Sequence, residues 1–317
     1  MGRLIDIARH VYAKILWSRA RQRTVWELRQ QCEKLARWMM QNMLRVADDY
    51  VLPKTIFTYW DDEALCPIVK ANIDTWRRKL PEWRIVVLHD GNVTDYVSHV
   101  FVDRYKGKME HQRYSDYLRL ELLERYGGTW MDAGIFVVNP SFLNDMYAEC
   151  QQWKYDACFF ELSTKTRHPE YPFLESWFIM ASCKSKLIKD WNRELTRAFR
   201  VGFISYKKNV LVTSGMDISN TVGRFYEDTY LMIHATLNYL FYMGKKYNVK
   251  VYEACESLFK IHQECDFNAE KVAQTVLDRA ESGEWADLYA VKLCRLDRKA
   301  IYTMKAVDKY VALLGRV

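Results

Sequence analysis

No stretch of roughly 18 consecutive apolar residues occurs anywhere in the chain, which excludes a transmembrane helix of ordinary length. The N-terminus has neither a continuous apolar core nor a small-residue cleavage site, so no secretory signal is expected. The eight cysteines are scattered, without a CxxC pair or a metal-ligand spacing. That speaks against a zinc ribbon, and reduced thiols in a cytoplasmic protein are expected. There is no GxGxxG, no P-loop and no marked Ser-His-Asp or Cys-His arrangement. Internal repeats and low-complexity segments are also missing.

Net charge is nearly absent from most of the length. Of the overall +7, six units lie in residues 1–48, where ten Lys or Arg face four Asp or Glu. The remainder is close to neutral, so basicity gives no case for a nucleic-acid partner. Aromatic residues are plentiful: 11 Trp and 21 Tyr lie in a chain that is half hydrophobic. That supplies a substantial core and platforms that suit sugar rings.

One stretch organises the rest, SDYLRLELLERYGGTWMDAGIFVVNP, from Ser115 to Pro140. Apolar spacing predicts a helix from about Tyr114 to Tyr126, stopped by Gly127-Gly128. Trp130 and Ile135 to Val138 read as a strand, ended by Asn139-Pro140. Asp116 and Arg119, at i and i+3, share one helix face. Asp132 falls within the strand, where a carboxylate needs a partner. Taken singly, the helix pair could be a surface ion pair, the glycines a plain cap, and Asp132 a solvated residue. All of them fall within 17 residues, from Asp116 to Asp132.

This run resembles the sugar-transferring GT-A enzymes of glycosyltransferase family 32, which carry Ser-Asp, an Arg three residues on, Gly-Gly and an Asp-x-Asp. Within that group it is similar to the capsular-polysaccharide-synthesis branch, whose strand reads aromatic, apolar, Asp, Ala and a small residue, as in Trp130-Met131-Asp132-Ala133-Gly134. Pro53 to Asp61 resembles the family's first strand, and Glu175-Ser176-Trp177-Phe178 extends the likeness. The resemblance covers roughly residues 50–317. It implies an α/β fold, a GT-A-like Rossmann-type sheet flanked by helices. The expected organisation is a basic helical extension (1–48), a nucleotide-sugar-binding core (49–215) and a mainly helical region completing the cleft (216–317).

Residues 1–48 read as one or two helices with Trp17, Trp26, Trp38 and many Arg. They could lie on an anionic membrane surface or pack as a helical extension. Strands are expected around Ile56 to Tyr59 and Arg84 to Leu88, paired in parallel through a helix from about Ala64 to Lys79 with Asp62 as its N-cap. Tyr59, Trp60 and Asp61 leave the carboxyl end of the first strand, where ligands bind in open α/β sheets. Trp60 and Asp61 could there stack a base and hold a ribose, or Trp60 could simply cap the core. Further on, Glu175 opens an apolar strand, and Trp177 reads as core. Phe225 to Lys246 reads as a helix carrying Asp228, Tyr230 and His234. The tail from Val272 reads as helical, with a break at Ser282-Gly283.

Transfer from a nucleoside diphosphate sugar leaves a dianionic diphosphate, so a cation must face it, either a divalent metal or Lys and Arg. The resemblance implies Asp132, Asp116, Arg119 and Glu175 as the catalytic set, and Tyr59, Trp60, Asp61, Ser115, Gly128 and Ala133 as donor-binding residues. It implies Mn²⁺ or Mg²⁺ held through Asp132, with His234 as a second ligand. One departure matters: the second Asp of the motif is Gly134, whose side chain cannot ligate. The site could then draw a distant ligand from Glu175, Asp228 or His234, or rely on Arg113, Lys165 or Arg167. The expected function is a retaining glycosyltransferase of hexosyltransferase type. It would join a nucleotide-sugar donor to a saccharide or glycolipid acceptor in capsule or other cell-surface polysaccharide synthesis. Such an enzyme would be cytoplasmic and could sit peripherally on the membrane's cytoplasmic face. The alternative is a non-catalytic GT-A-like sugar-nucleotide-binding or membrane-scaffold protein.

Overall fold

In the computed structural model, residues 50–219 and 230–317 are described. The expectations for residues 1–48 and for Asp228 lie outside them. Strand β1 (Thr55–Tyr59) leads through α1 (Pro67–Lys79) to β2 (Arg84–Leu88), paired in parallel with it as expected. Asp62 does not cap α1. Its Oδ1 accepts from the Ala64 N–H at 2.9 Å in a local turn, and the helix starts after Cys66 with Pro67 in its first turn. Proline suits that place because its missing N–H would be unpaired there anyway.

Then come α2 (His99–Tyr105), the central α3 (His111–Tyr126), β3 (Gly128–Met131) and β4 (Ile135–Val137). The single strand expected across Trp130 to Val138 is two strands, broken by a turn at Ala133-Gly134. Asp132 lies just past the end of β3, which removes the puzzle of a carboxylate inside a strand. The chain continues through α4 (Ser141–Trp153), β5 (Ala157–Glu161), β6 (Leu174–Ala181), α5 (Lys186–Val201) and α6 (Met232–Tyr242). It closes with β7 (Val249–Glu253), α7 (Lys260–Glu264), α8 (Ala269–Ser282), β8 (Ala290–Lys292), α9 (Arg295–Thr303) and α10 (Val307–Leu314). The tail is therefore not wholly helical, since β8 interrupts it.

The main sheet has six strands in the order β2-β1-β3-β6-β5-β7, and β4 pairs with β8 in a second sheet of two. Strand β1 is parallel to both β2 and β3, while β6 is antiparallel to β3 and β5. Both sheets draw strands from either side of residue 215, and Tyr50–Val317 forms one compact unit.

Alternation along the strands fills both faces. Phe57, Tyr59, Trp130 and Ile179 face α3, α5 and α6, whereas Ile56, Met131, Phe178 and Met180 face α1 and α4. Each such side chain contributes about 1.5–3 kcal/mol on burial. A third cluster gathers Phe136 and Val291 against α8, α9 and α10. Two glycines are forced by close approach. A Cβ on Gly127 (φ 65°) would meet the Cys183 backbone nitrogen at 2.5 Å, and one on Gly128 (φ 95°) the Thr55 carbonyl at 2.7 Å. Cys150 and Cys158 face the same core layer, their Cα atoms 7.4 Å apart, farther than a disulfide usually spans. Among the described residues no helix is long and apolar enough to cross a membrane.

Candidate active site

The order β2-β1-β3 places a topological switch point between β1 and β3, because the chain moves to opposite sides of β1 to form β2 and β3. Crevices open beyond the carboxyl ends of strands at such points. Tyr59-Trp60-Asp61 leaves β1 there, and Asp132 leaves β3. Strand β6 runs the other way, so its N-terminal end, with Glu175, meets the same edge: Met131 pairs with Phe178, and the Asp132 N–H donates to the Trp177 carbonyl at 2.9 Å. A carboxylate from an antiparallel neighbour thus reaches a cleft built on parallel strands.

Arg119 projects from α3 and joins the set. Its Nη1 lies 3.0 Å from Asp116 Oδ1 and donates to the Ser176 carbonyl at 3.0 Å. Its Nη2 donates to Ser115 Oγ at 3.2 Å and stands 3.6 Å from Asp132 Oδ1. The guanidinium also lies 5.0 Å over the Trp130 ring, whose Nε1 donates to Asp132 Oδ1 at 2.9 Å. The planar fork of arginine serves several acceptors at fixed angles, which lysine cannot do.

Two residues absent from the sequence reading complete the group. The Lys292 Nζ donates to Asp132 Oδ2 at 2.8 Å. Its place is fixed by the register of β8 against β4, where Lys292 pairs with Ile135. Arg298 on α9 donates from Nη1 to the Leu293 carbonyl at 2.7 Å and lies 5.9 Å from the Trp60 ring centre. The available signal was slight: a lysine among Ala290, Val291 and Leu293, in a tail read as helix.

The carboxyl groups differ in kind. Burial pushes Asp116 up to about 7, the Asp132 charge adding to this while Arg119 and Arg113 pull back. Burial also takes Glu175 to about 7 against the pull of Lys292. Burial works to raise Asp132 as well, but Lys292 and Arg119 hold it below the ordinary carboxylate range. The site thus pairs one firmly ionised acid with two that titrate near neutrality, a separation suited to proton transfer.

Most of the other expected residues have partners of their own. Tyr59 is buried and donates to Asp90 Oδ1 at 2.6 Å; burial first, then that bond, raise its phenol. Asp61 is exposed and lies 3.7 Å from His111. Ala133 is buried, its carbonyl accepting from Asn72 Nδ2 at 3.0 Å. Gly128 sits at the far end of β3 from Asp132. His234 is buried and stacks on Phe173 at 4.7 Å, and among the described residues neither ring nitrogen has a hydrogen-bond partner. Burial and Arg119 lower it to about 3. Trp177 stacks on Phe160 at 5.2 Å, as core. Lys165 and Arg167 are exposed.

A divalent ion on Asp132 does not fit these side chains. Both carboxylate oxygens already meet donors, Oδ1 from Trp130 and Arg119 and Oδ2 from Lys292. A Cβ at Gly134 would lie 2.5 Å from the Leu293 carbonyl and 2.6 Å from Arg298 Nη1, so the turn has no room for a second ligand there. Among the described residues, the group of three metal-ligating side chains that converges is His262, Cys294 and Asp297, and neither Asp132 nor His234 belongs to it.

Residues 30–280 match the family model described as "Capsular polysaccharide synthesis protein". The chain is 34% identical over 119 residues to the O-glycosyltransferase braB of Annulohypoxylon truncatum, covering 33% of this chain and 27% of that protein. It is 27% identical over 153 residues to the O-glycosyltransferase PaGT of Phomopsis amygdali, covering 44% and 37%. The matched part therefore spans about a third of the length of these curated relatives. A solved structure of the galactosyltransferase LgtC with donor and acceptor sugar analogs aligns over 83% of this chain and 96% of that one, at 13% identity and a TM-score of 0.42.

Proposed function

The chain belongs to the family of capsular polysaccharide synthesis proteins, and from that premise we propose that it transfers a sugar from a nucleoside diphosphate sugar to a saccharide or glycolipid acceptor. The observation that carries this reading is Arg119, which stands within 3.6 Å of both Asp116 and Asp132 at the switch point. That the relatives braB and PaGT are O-glycosyltransferases supports it. In this reading Asp116 accepts hydrogen bonds from sugar hydroxyls, Asp132 holds Lys292, and Arg119 fixes both acids. Trp60 and Asp61 take the nucleoside beyond β1. Glu175 takes the proton of the acceptor hydroxyl, its carboxyl being near neutrality.

Transfer proceeds with retention of anomeric configuration and serves cell-surface polysaccharide or glycan synthesis. The basic residues 1–48 hold the protein to an anionic membrane on its cytoplasmic face, where a lipid-borne acceptor is presented. Turnover of a panel of UDP, GDP, ADP and dTDP sugars tests the core of this. Consumption of one donor, with sugar appearing on an acceptor, is the expected result, and no consumption of any donor overturns it.

A second reading is favoured by Gly134, which leaves the motif one acid short: a sugar-nucleotide-binding protein that performs no transfer. Calorimetric binding of a nucleotide sugar without its breakdown would select that reading.

A further inference from the structure

Resting on the transferase reading, we propose that Lys292, braced by Arg298, supplies the positive charge at the leaving diphosphate, so that transfer needs no divalent cation. Asp132 has a donor on each of its carboxylate oxygens. Its Oδ2 already accepts from an ammonium at 2.8 Å, and its Oδ1 from the Trp130 indole at 2.9 Å. A metal would have to displace Lys292, which is buried and held by the β4–β8 register, and take from it the carboxylate it donates to at 2.8 Å. An unpaired buried ammonium is costly.

The place a second carboxylate would take is closed as well. It is filled by the Leu293 carbonyl and by Arg298, whose Nη1 sits 2.6 Å from where a Cβ of residue 134 would be. Arg298 also lies 5.9 Å from the Trp60 ring centre, at the carboxyl end of β1. Two cations therefore stand on the cleft side of the turn where the motif would otherwise set its second acid. Their source is one short segment, Lys292 to Arg298, which crosses the end of the β1–β3 crevice.

The step balances without a metal. The bond between the anomeric carbon and the diphosphate oxygen breaks, its electron pair remaining on that oxygen. The acceptor hydroxyl oxygen bonds the anomeric carbon, and its proton passes to Glu175. Lys292 donates a hydrogen bond to the departing oxygen, where negative charge accumulates, and Asp132 fixes the ammonium in place. One preorganised donor at such a position contributes about 100- to 1,000-fold in rate.

The test uses the full chain and the sugar-nucleotide panel, with turnover measured in EDTA and in Mn²⁺, and UDP and GDP binding measured calorimetrically in EDTA. The expected result is a wild-type rate in EDTA within about twofold of that in Mn²⁺. Lys292→Met should lose about 100-fold in kcat and bind the diphosphate at least about tenfold more weakly, the loss expected for roughly 1.4 kcal/mol. Lys292→Arg should recover part of both. A wild-type rate that collapses in EDTA and returns with Mn²⁺ overturns the proposal while leaving the transferase reading standing, as does Lys292→Met at the wild-type rate. Wild-type chain that neither binds a nucleotide nor consumes a donor in either condition overturns the transferase reading itself. Should Lys292→Met fail to fold, Asp132→Asn/Lys292→Met removes both charges together. That double variant must still show the loss of diphosphate binding in EDTA, and retained binding counts against Lys292.

Discussion

The ammonium of Lys292 lies 2.8 Å from the Oδ2 of Asp132, although 160 residues of sequence separate them. Arg119 flanks the same carboxylate from its other oxygen, 3.6 Å from Oδ1. Asp132→Asn keeps the shape and the Trp130 bond but removes the charge that both cations face. Turnover should fall by about 100- to 1,000-fold, and Asp116→Asn should behave likewise. Far-UV circular dichroism of both variants should match the wild type, and full activity in both would remove them from the machinery.

Restoring the missing acid of the motif should fail. In Gly134→Asp the new Cβ meets the Leu293 carbonyl and Arg298, so the turn must shift. We expect a loss of about 1–3 kcal/mol in denaturant unfolding, as for overpacked core sites, and no gain in Mn²⁺ affinity. An unchanged unfolding midpoint would show that the turn yields freely.

Arg119 is a structural clamp as well as a site residue. Its side chain is 6% exposed, and it holds Asp116, Ser115 and the Ser176 carbonyl. Arg119→Met leaves a buried acid without its partner, at a cost of about 3–5 kcal/mol. Urea titration reads this directly, and a cost under about 1 kcal/mol would place the guanidinium in solvent.

The two acids near neutrality predict a pH dependence of stability. Asp116 and Glu175 rise from ordinary values of 3.8 and 4.5 to about 7 in the folded chain. The folded state therefore binds more protons than the unfolded state across that interval. The stability they contribute is full below about pH 4 and is lost as pH rises through about 7. His234, lowered to about 3, acts in the opposite sense between about 3 and 6.5, so the acids are best isolated by difference. Glu175→Gln should melt higher than wild type at pH 8 and near it at pH 4.5. The reverse order would mean that Glu175 is solvated.

Residues 1–48 carry six of the seven net positive charges. Flotation of the full chain with vesicles containing phosphatidylserine should exceed flotation with neutral vesicles and fall as salt is raised. A chain lacking these residues should stay in the aqueous fraction. Equal flotation with and without them would place the membrane contact elsewhere or nowhere.

Much of this was legible in local sequence. Strand β2 and the body of α3 follow from periodicity, and the Gly127 stop from backbone sterics. Asp116 and Arg119 share a face because helix geometry fixes i and i+3. Less legible was anything set by pairing over distance. The break after Met131 could not be read because Trp130 to Val138 is apolar on both sides of it, and only the partner β8 diverts β4 from the main sheet. The same pairing places Lys292, so the residue nearest Asp132 Oδ2 was invisible to spacing. Asp62 failed as a cap because Pro67 begins the helix one turn later. His234 was read as a ligand by analogy, and its stacking on Phe173 depends on a fold that periodicity does not describe.

The β4–β8 register also bears on synthesis in the cell. A growing polypeptide exposes Ser115 to Asp132 long before the ribosome reaches Lys292, and until then the acid has only Arg119 and the indole for company. A chain interrupted before Lys292 would hold the recognition motif without the ammonium that completes it, and so would lack the charge proposed for the departing diphosphate.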